Sequence, residues 1–166
     1  MLHVFIVNPT AGKGKSLSMI SHIEERFRDF PEPYHIEITR YPGHATAIAR
    51  SLSADGVPMR VYSVGGDGTL NEIINGLSGD HMELGVIPCG SGNDAIRSLY
   101  DITDPLVLLK ILPAASSTLL DMGRINGRYF INIASIGFDA EVVIFSRKFK
   151  RIPLVSGPMA YVLGVL

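Results

Sequence analysis

Apolar positions along the first half of the chain switch repeatedly between two spacings. Residues 2–7, apolar except for His3, read as a buried strand, after which Leu17, Ile20, Ile23 and Phe27 recur at helical spacing with Ser16 placed to cap them. Residues 34–39 give a second strand, and residues 44–52 a helix with Ala45, Ile48, Ala49 and Leu52 facing inward. A third strand covers 60–64, Leu70, Ile73, Ile74 and Leu77 mark the buried stripe of the next helix, and 84–87 is a fourth strand. A strand–helix series of this kind is stable as a parallel sheet covered by helices on both faces, because each apolar strand must be shielded twice. Beyond it the spacing predicts a helix over 104–112. An antiparallel pair over 118–122 and 128–134, turning at Asn126-Gly127, is expected to attach to the parallel sheet. The fold class is therefore α/β, a Rossmann-like three-layer arrangement with a hairpin near the C-terminus.

Composition narrows the class of partner. With 166 residues, 46% of them apolar, the chain can bury roughly 70% of its unfolded surface as one domain. The 15 basic and 16 acidic residues leave a net charge of −1, which argues against a nucleic-acid binder. The lone Cys89 has no partner for an internal disulfide, the N-terminal residues lack a signal peptide's basic start, and no apolar run reaches the ~18 residues of a membrane span. A cytoplasmic location is expected. Residues 152–166 are uncharged and end on an apolar stretch with no cap, so residues 1–150 are read as the folded domain and 151–166 as a segment leading into further protein. Such an apolar tail is expected to bury itself against a second copy, giving a homodimer.

Three polar, glycine-rich loops follow strand ends: Asn8-Pro9-Thr10-Ala11-Gly12-Lys13-Gly14, Gly65-Gly66-Asp67-Gly68-Thr69, and Gly90-Ser91-Gly92-Asn93-Asp94. In a parallel sheet these ends lie side by side, where ligands bind. Glycine lets backbone amides approach an anion, and a helix N-terminus adds its positive dipole end, so the loops point to a polyanion such as a nucleotide phosphate. Asp67 is out of place against phosphate unless it acts through Mg²⁺, a bridging water or a substrate hydroxyl; the alternative is a plain turn residue. Two familiar phosphate motifs fail. Gly14-Lys15-Ser16 resembles the end of a P-loop, but Pro9 stands where its first glycine belongs. Gly90 to Ala95 satisfies a dinucleotide fingerprint, yet it follows a late strand and no acidic strand end lies about twenty residues on.

Four segments together resemble the catalytic domain of diacylglycerol kinases and their bacterial lipid-kinase and sphingosine-kinase relatives. They are Asn8 to Gly12, Gly65-Gly66-Asp67-Gly68-Thr69-Leu70-Asn71-Glu72, Ile87 to Asp94, and Ile136-Gly137-Phe138-Asp139-Ala140. The resemblance implies an ATP-binding α/β domain followed by a β-rich second domain that this chain lacks, which makes the fragment alone inactive. It implies transfer of the γ-phosphoryl of ATP to a lipid hydroxyl at a membrane surface. Matching positions place Asn8, Pro9, Thr10, Ala11, Gly12, Thr39, Gly65, Gly66, Asp67, Gly68, Thr69, Leu70, Asn71 and Ser91 at the nucleotide, with Asp67 acting on Mg²⁺ through water. Where relatives usually carry threonine this chain has Ser91, which keeps the hydroxyl. Gly-Gly-Asp-Gly-Thr is shared with NAD kinases, so a ribose-hydroxyl kinase and a non-catalytic nucleotide-binding module are the competing readings.

Single residues keep two readings each. Thr39 is a strand former or a nucleotide contact, and Asn93 and Asp94 are helix caps, with Asp94 also a candidate substrate contact. Asp139 is a helix cap or a lipid head-group contact. The basic run 147–151 is a solvated face or a membrane contact. Cys89 has no neighbouring base or cation in sequence to make it a nucleophile.

Overall fold

The computed structural model describes residues 1–149. Four strands, β1 (Leu2–Val7), β2 (Tyr34–Ile38), β3 (Met59–Gly65) and β4 (Met82–Pro88), form one parallel sheet in the order β2-β1-β3-β4. The connecting helices are α1 (Lys15–Phe27), α2 (His44–Ala54) and α3 (Asp67–Ile74), followed by α4 (Asp94–Leu99) and α5 (Pro105–Ile111). Right-handed crossovers require α1, which leads outward to β2, and α2, which leads back across to β3, to lie on opposite faces. The side chains agree. Phe5 and Val7 of β1 pack with Met19, Ile23 and Phe27 of α1, whereas the alternate residues Val4 and Ile6 pack with Ala45 and Ala49 of α2. Ile73 of α3 joins the second group, and Leu108 and Leu109 of α5 join the first.

Two sequence expectations need correction. Ser16 does not cap α1: a 3-10 turn over Ala11–Gly14, with Gly12, Lys13 and Gly14 all at positive φ, starts the helix at Lys15. The buried stripe of α1 is Ser16, Met19, Ile23 and Phe27, with Leu17 out in solvent, and the buried Ser16 hydroxyl donates to the carbonyls of Asn8 and Ala11. The hairpin, β5 (Gly123–Ile125) and β6 (Arg128–Phe130), is shorter than expected and is a separate two-stranded sheet rather than an extension of the parallel one. Its tie is to α3. Asn75 accepts from the Tyr129 N–H (2.9 Å) and donates to the Tyr129 carbonyl (3.0 Å), so one side chain satisfies the backbone pair that a sheet edge would have taken.

One buried cation anchors the far side of the sheet. Arg60 on β3 donates through Nε to Glu83 (2.6 Å) and through its terminal nitrogens to the carbonyls of Leu112, Pro113 and Ala115, gripping the turn that ends α5. Five donors in a fixed fork suit a guanidinium to collecting carbonyls that no helix can satisfy.

The chain divides into two compact units, Met1–Asn132 and Ile133–Leu166. In the second, α6 (Phe138–Phe149) begins after Gly137, whose φ is 84°. The side chains of Asp139 and of the basic run 147–151 lie outside the described residues, as does the apolar tail 152–166 with its expected self-association. No described helix is long and apolar enough to cross a membrane.

Candidate functional site

From β1 the chain runs out through α1 to β2, and from neighbouring β3 it runs the opposite way through α3 to β4. The carboxyl ends of β1 and β3 are thus the point where the loops diverge and leave a crevice. Asn8 ties the two together. Its N–H donates to Val64 (3.0 Å), its side-chain amide donates to the Thr69 hydroxyl (3.0 Å), and its Oδ1 accepts from the Thr10 N–H (3.1 Å) and hydroxyl (2.9 Å).

The glycines of these loops serve different ends. A Cβ on Gly12 would overlap the Cys89 carbonyl oxygen, and one on Gly90 would come to 2.5 Å from the Gly66 Cα, so the first and third loops close onto their neighbours backbone to backbone. Gly68 differs, since a Cβ there meets nothing within 4 Å. It stands in the first turn of α3, where its amide and that of Asp67 have no acceptor among the described residues.

Asp67 reaches across to the third loop. Its Oδ1 accepts from the Ala95 N–H (3.0 Å), capping α4 from outside, because Asn93 at the N-cap position uses its own side chain on Gly90 (2.9 Å). The other carboxylate oxygen accepts from nothing among the described residues, and it lies 3.1 Å from where a Cβ on Gly92 would sit. No group of three or more His, Cys, Asp or Glu is placed to hold a metal among those residues. One free carboxylate oxygen nevertheless suits a Mg²⁺ held largely by waters and substrate phosphates, and the neighbouring amides suit those phosphates.

Beside these loops lies an open cleft of about 300 Å³, lined by Asn8, Pro9, Thr10 and Thr69 on one side and by Thr39, Arg40, Tyr41 and Pro42 on the other. Its volume is at the lower end of small-molecule sites. Thr39 is buried at the end of β2, its N–H bonded to Val7 (2.9 Å) and its hydroxyl facing no partner among the described residues.

The family model for the diacylglycerol kinase catalytic domain matches residues 3–125, which include all three loops. The chain belongs to this family. It is 33% identical to a diacylglycerol kinase of Staphylococcus carnosus over 159 residues, 94% of this chain and 51% of that protein. A diacylglycerol kinase of Staphylococcus aureus is 34% identical over 167 residues, covering 94% and 49%. The solved structure of a diacylglycerol kinase from Bacillus anthracis superposes with a TM-score of 0.65 at 29% identity, over 84% of this chain and 50% of that one. The chain therefore spans about half the length of the relatives it matches.

Within this diacylglycerol kinase-type domain, the expected site residues separate into groups. Asn8, Pro9, Thr10, Thr39 and Thr69 line the cleft, and Ala11, Gly12, Gly65, Gly66, Asp67 and Gly68 form the adjoining loop and helix start. Leu70 is in the core, so only its backbone can serve a ligand. Asn71 turns to the hairpin, donating to the Tyr129 carbonyl (3.3 Å). Ser91 is exposed on the third loop, and Asp94 is exposed and paired with Arg97 (3.7 Å). Asp139 belongs to the second unit, its side chain outside the described residues. Arg40, Tyr41, Pro42, Ala45 and Glu72 also line the cleft, although the sequence reading assigned them no role. The available signal was their position, in the loop after β2, at the start of α2 and on α3.

Burial pushes the Cys89 thiol up to about 11, against an opposing pull from the Lys15 charge. Such a group is almost wholly protonated at neutral pH. Iodoacetamide at pH 8 should modify native protein far more slowly than urea-unfolded protein; equal rates would mean the third loop opens freely.

Proposed function

We propose that this chain is the nucleotide-binding part of a kinase that transfers the γ-phosphoryl of ATP to a lipid hydroxyl. The observation carrying it is the start of α3, where two outward amides, an unblocked space over Gly68 and a free carboxylate oxygen of Asp67 come together at the sheet's switch point. Backbone donors of this kind orient and neutralise phosphate, which is most of what phosphoryl transfer asks of a protein. A Mg²⁺ at this position would supply positive charge against the charge that develops on the transferring phosphoryl group. Asp67 would hold it through water, and Asn8 and Thr69 would fix the loop walls. The lipid acceptor is inferred from the family and its named relatives. Residues 1–150 would then be the ATP-binding domain and 151–166 the way into a second, β-rich one that completes the acceptor site at a membrane surface.

Gly68→Ala separates this reading from a structural one. Alanine fits the open space and suits a helix, so thermal stability should hold or rise, by up to about 1 kcal/mol. Its methyl group would stand where phosphate approaches, and calorimetry should show both Mg-ATP and tripolyphosphate bound at least about tenfold more weakly, a loss of ~1.4 kcal/mol. Unchanged affinity would move the phosphates away from α3. Gly66 cannot make this distinction, because a Cβ there would come to 3.1 Å from the Gly90 Cα and disturb the loops themselves. Phosphorylation of diacylglycerol against sphingosine in mixed micelles by the full-length polypeptide identifies the acceptor.

A further inference from the structure

Tyr41 is a large aromatic residue left 59% exposed, yet its position is set with unusual care. One face of the ring stacks on His44, at 4.6 Å between centroids and 24° between planes. The His44 Nδ1 accepts from the Arg40 N–H (3.1 Å), and the His44 N–H donates to the Tyr41 carbonyl (3.0 Å). Gly43 turns the chain at φ 88°, and α2 has no cap of its own. Glu72 on α3 supplies one, its two carboxylate oxygens accepting from Gly43 (2.9 Å) and Ala45 (3.2 Å). A turn held at this many points has little conformational freedom left to lose on binding.

We propose that Tyr41 is the platform on which the base of the nucleotide stacks, with His44 and Glu72 as its positioning residues. This rests on the nucleotide reading above and deepens it. The stack on His44 leaves the second face of the ring for a ligand, and every base offers a π-face to such a surface. Thr39, on the same wall, adds a hydroxyl free to donate or accept. Continuity with the phosphate end comes from Thr69, which lines the cleft with Tyr41 and belongs to the first turn of α3. A base in the cleft and phosphates at the helix start are thus the two ends of one molecule.

The test is calorimetric titration of ATP and of inorganic tripolyphosphate into wild type, Tyr41→Ala and Tyr41→Phe. Tyr41→Ala should bind ATP roughly five- to a hundredfold more weakly, the range for losing one aromatic–base stack, and bind tripolyphosphate as wild type does. Tyr41→Phe keeps the ring and should bind both like wild type. ATP affinity unchanged in Tyr41→Ala would overturn the proposal while leaving the phosphate site standing, as would an equal loss for both ligands, which would make Tyr41 a structural residue. Wild type that binds tripolyphosphate as well as ATP removes the base contact alone; wild type that binds neither removes the nucleotide reading as well.

Discussion

Asp67→Asn in the full-length polypeptide is expected to lower kcat by about a hundredfold or more while leaving ATP affinity within a few-fold, as lost electrostatic stabilisation of a transition state does. The substitution is informative because Asp67 has two separable tasks. Asparagine keeps an oxygen that can accept the Ala95 N–H, so the start of α4 stays capped, but it removes the charge that would hold a metal through water. Thermal unfolding of Asp67→Asn should therefore follow wild type. Asp67→Ala loses both tasks and should cost a further ~1 kcal/mol of stability. A near-normal kcat for Asp67→Asn would reduce the residue to a cap for α4 and nothing more.

Arg60→Met should destabilise the protein by about 3 kcal/mol, as for breaking a buried ion pair from one side. Methionine fills much of the volume but leaves the Glu83 carboxylate and the carbonyls of Leu112, Pro113 and Ala115 without their donor. Glu83→Gln should cost much less, because Arg60 keeps its three carbonyls and Ser117 keeps an acceptor at that position. Urea unfolding would show this as a lower midpoint at constant slope for Arg60→Met. A loss under about 1 kcal/mol would mean that the turn after α5 is held by its apolar contacts, Leu108, Leu109 and Leu112, rather than by the guanidinium.

Both residues mark the limit of what could be read along the chain. Arg60 opens a run that patterning identified as a strand, but nothing near it in sequence announces that three carbonyls more than fifty residues away would converge on it. Asp67 stood out as a carboxylate among phosphate-binding glycines; its hold on Ala95 joins residues 28 positions apart. Glu72 is the same case. It was visible as the end of a motif, and its task is to cap a helix 27 positions earlier in the chain.

The alternation of apolar spacing by itself determined the four parallel strands, the helices between them and the edge on which a ligand site must lie, because the periods of 2 and 3.6 are properties of the backbone and local sequence suffices to show them. The glycine-rich loops likewise declared an anion site from composition alone, since only residues without a Cβ allow such close approach. Tertiary structure decided the rest. The face α1 buries was set by the sheet beneath it, where Met19, Ile23 and Phe27 meet Phe5 and Val7 and leave Leu17 outside. The hairpin lay on α3 because Asn75 met the backbone of Tyr129 there. The second wall of the cleft, Thr39 to Pro42, joined the first only once β2 was placed beside β1. Each of these rests on a donor meeting an acceptor, or a backbone meeting a backbone, from distant parts of the chain, and such meetings leave no periodic trace in the residues between them.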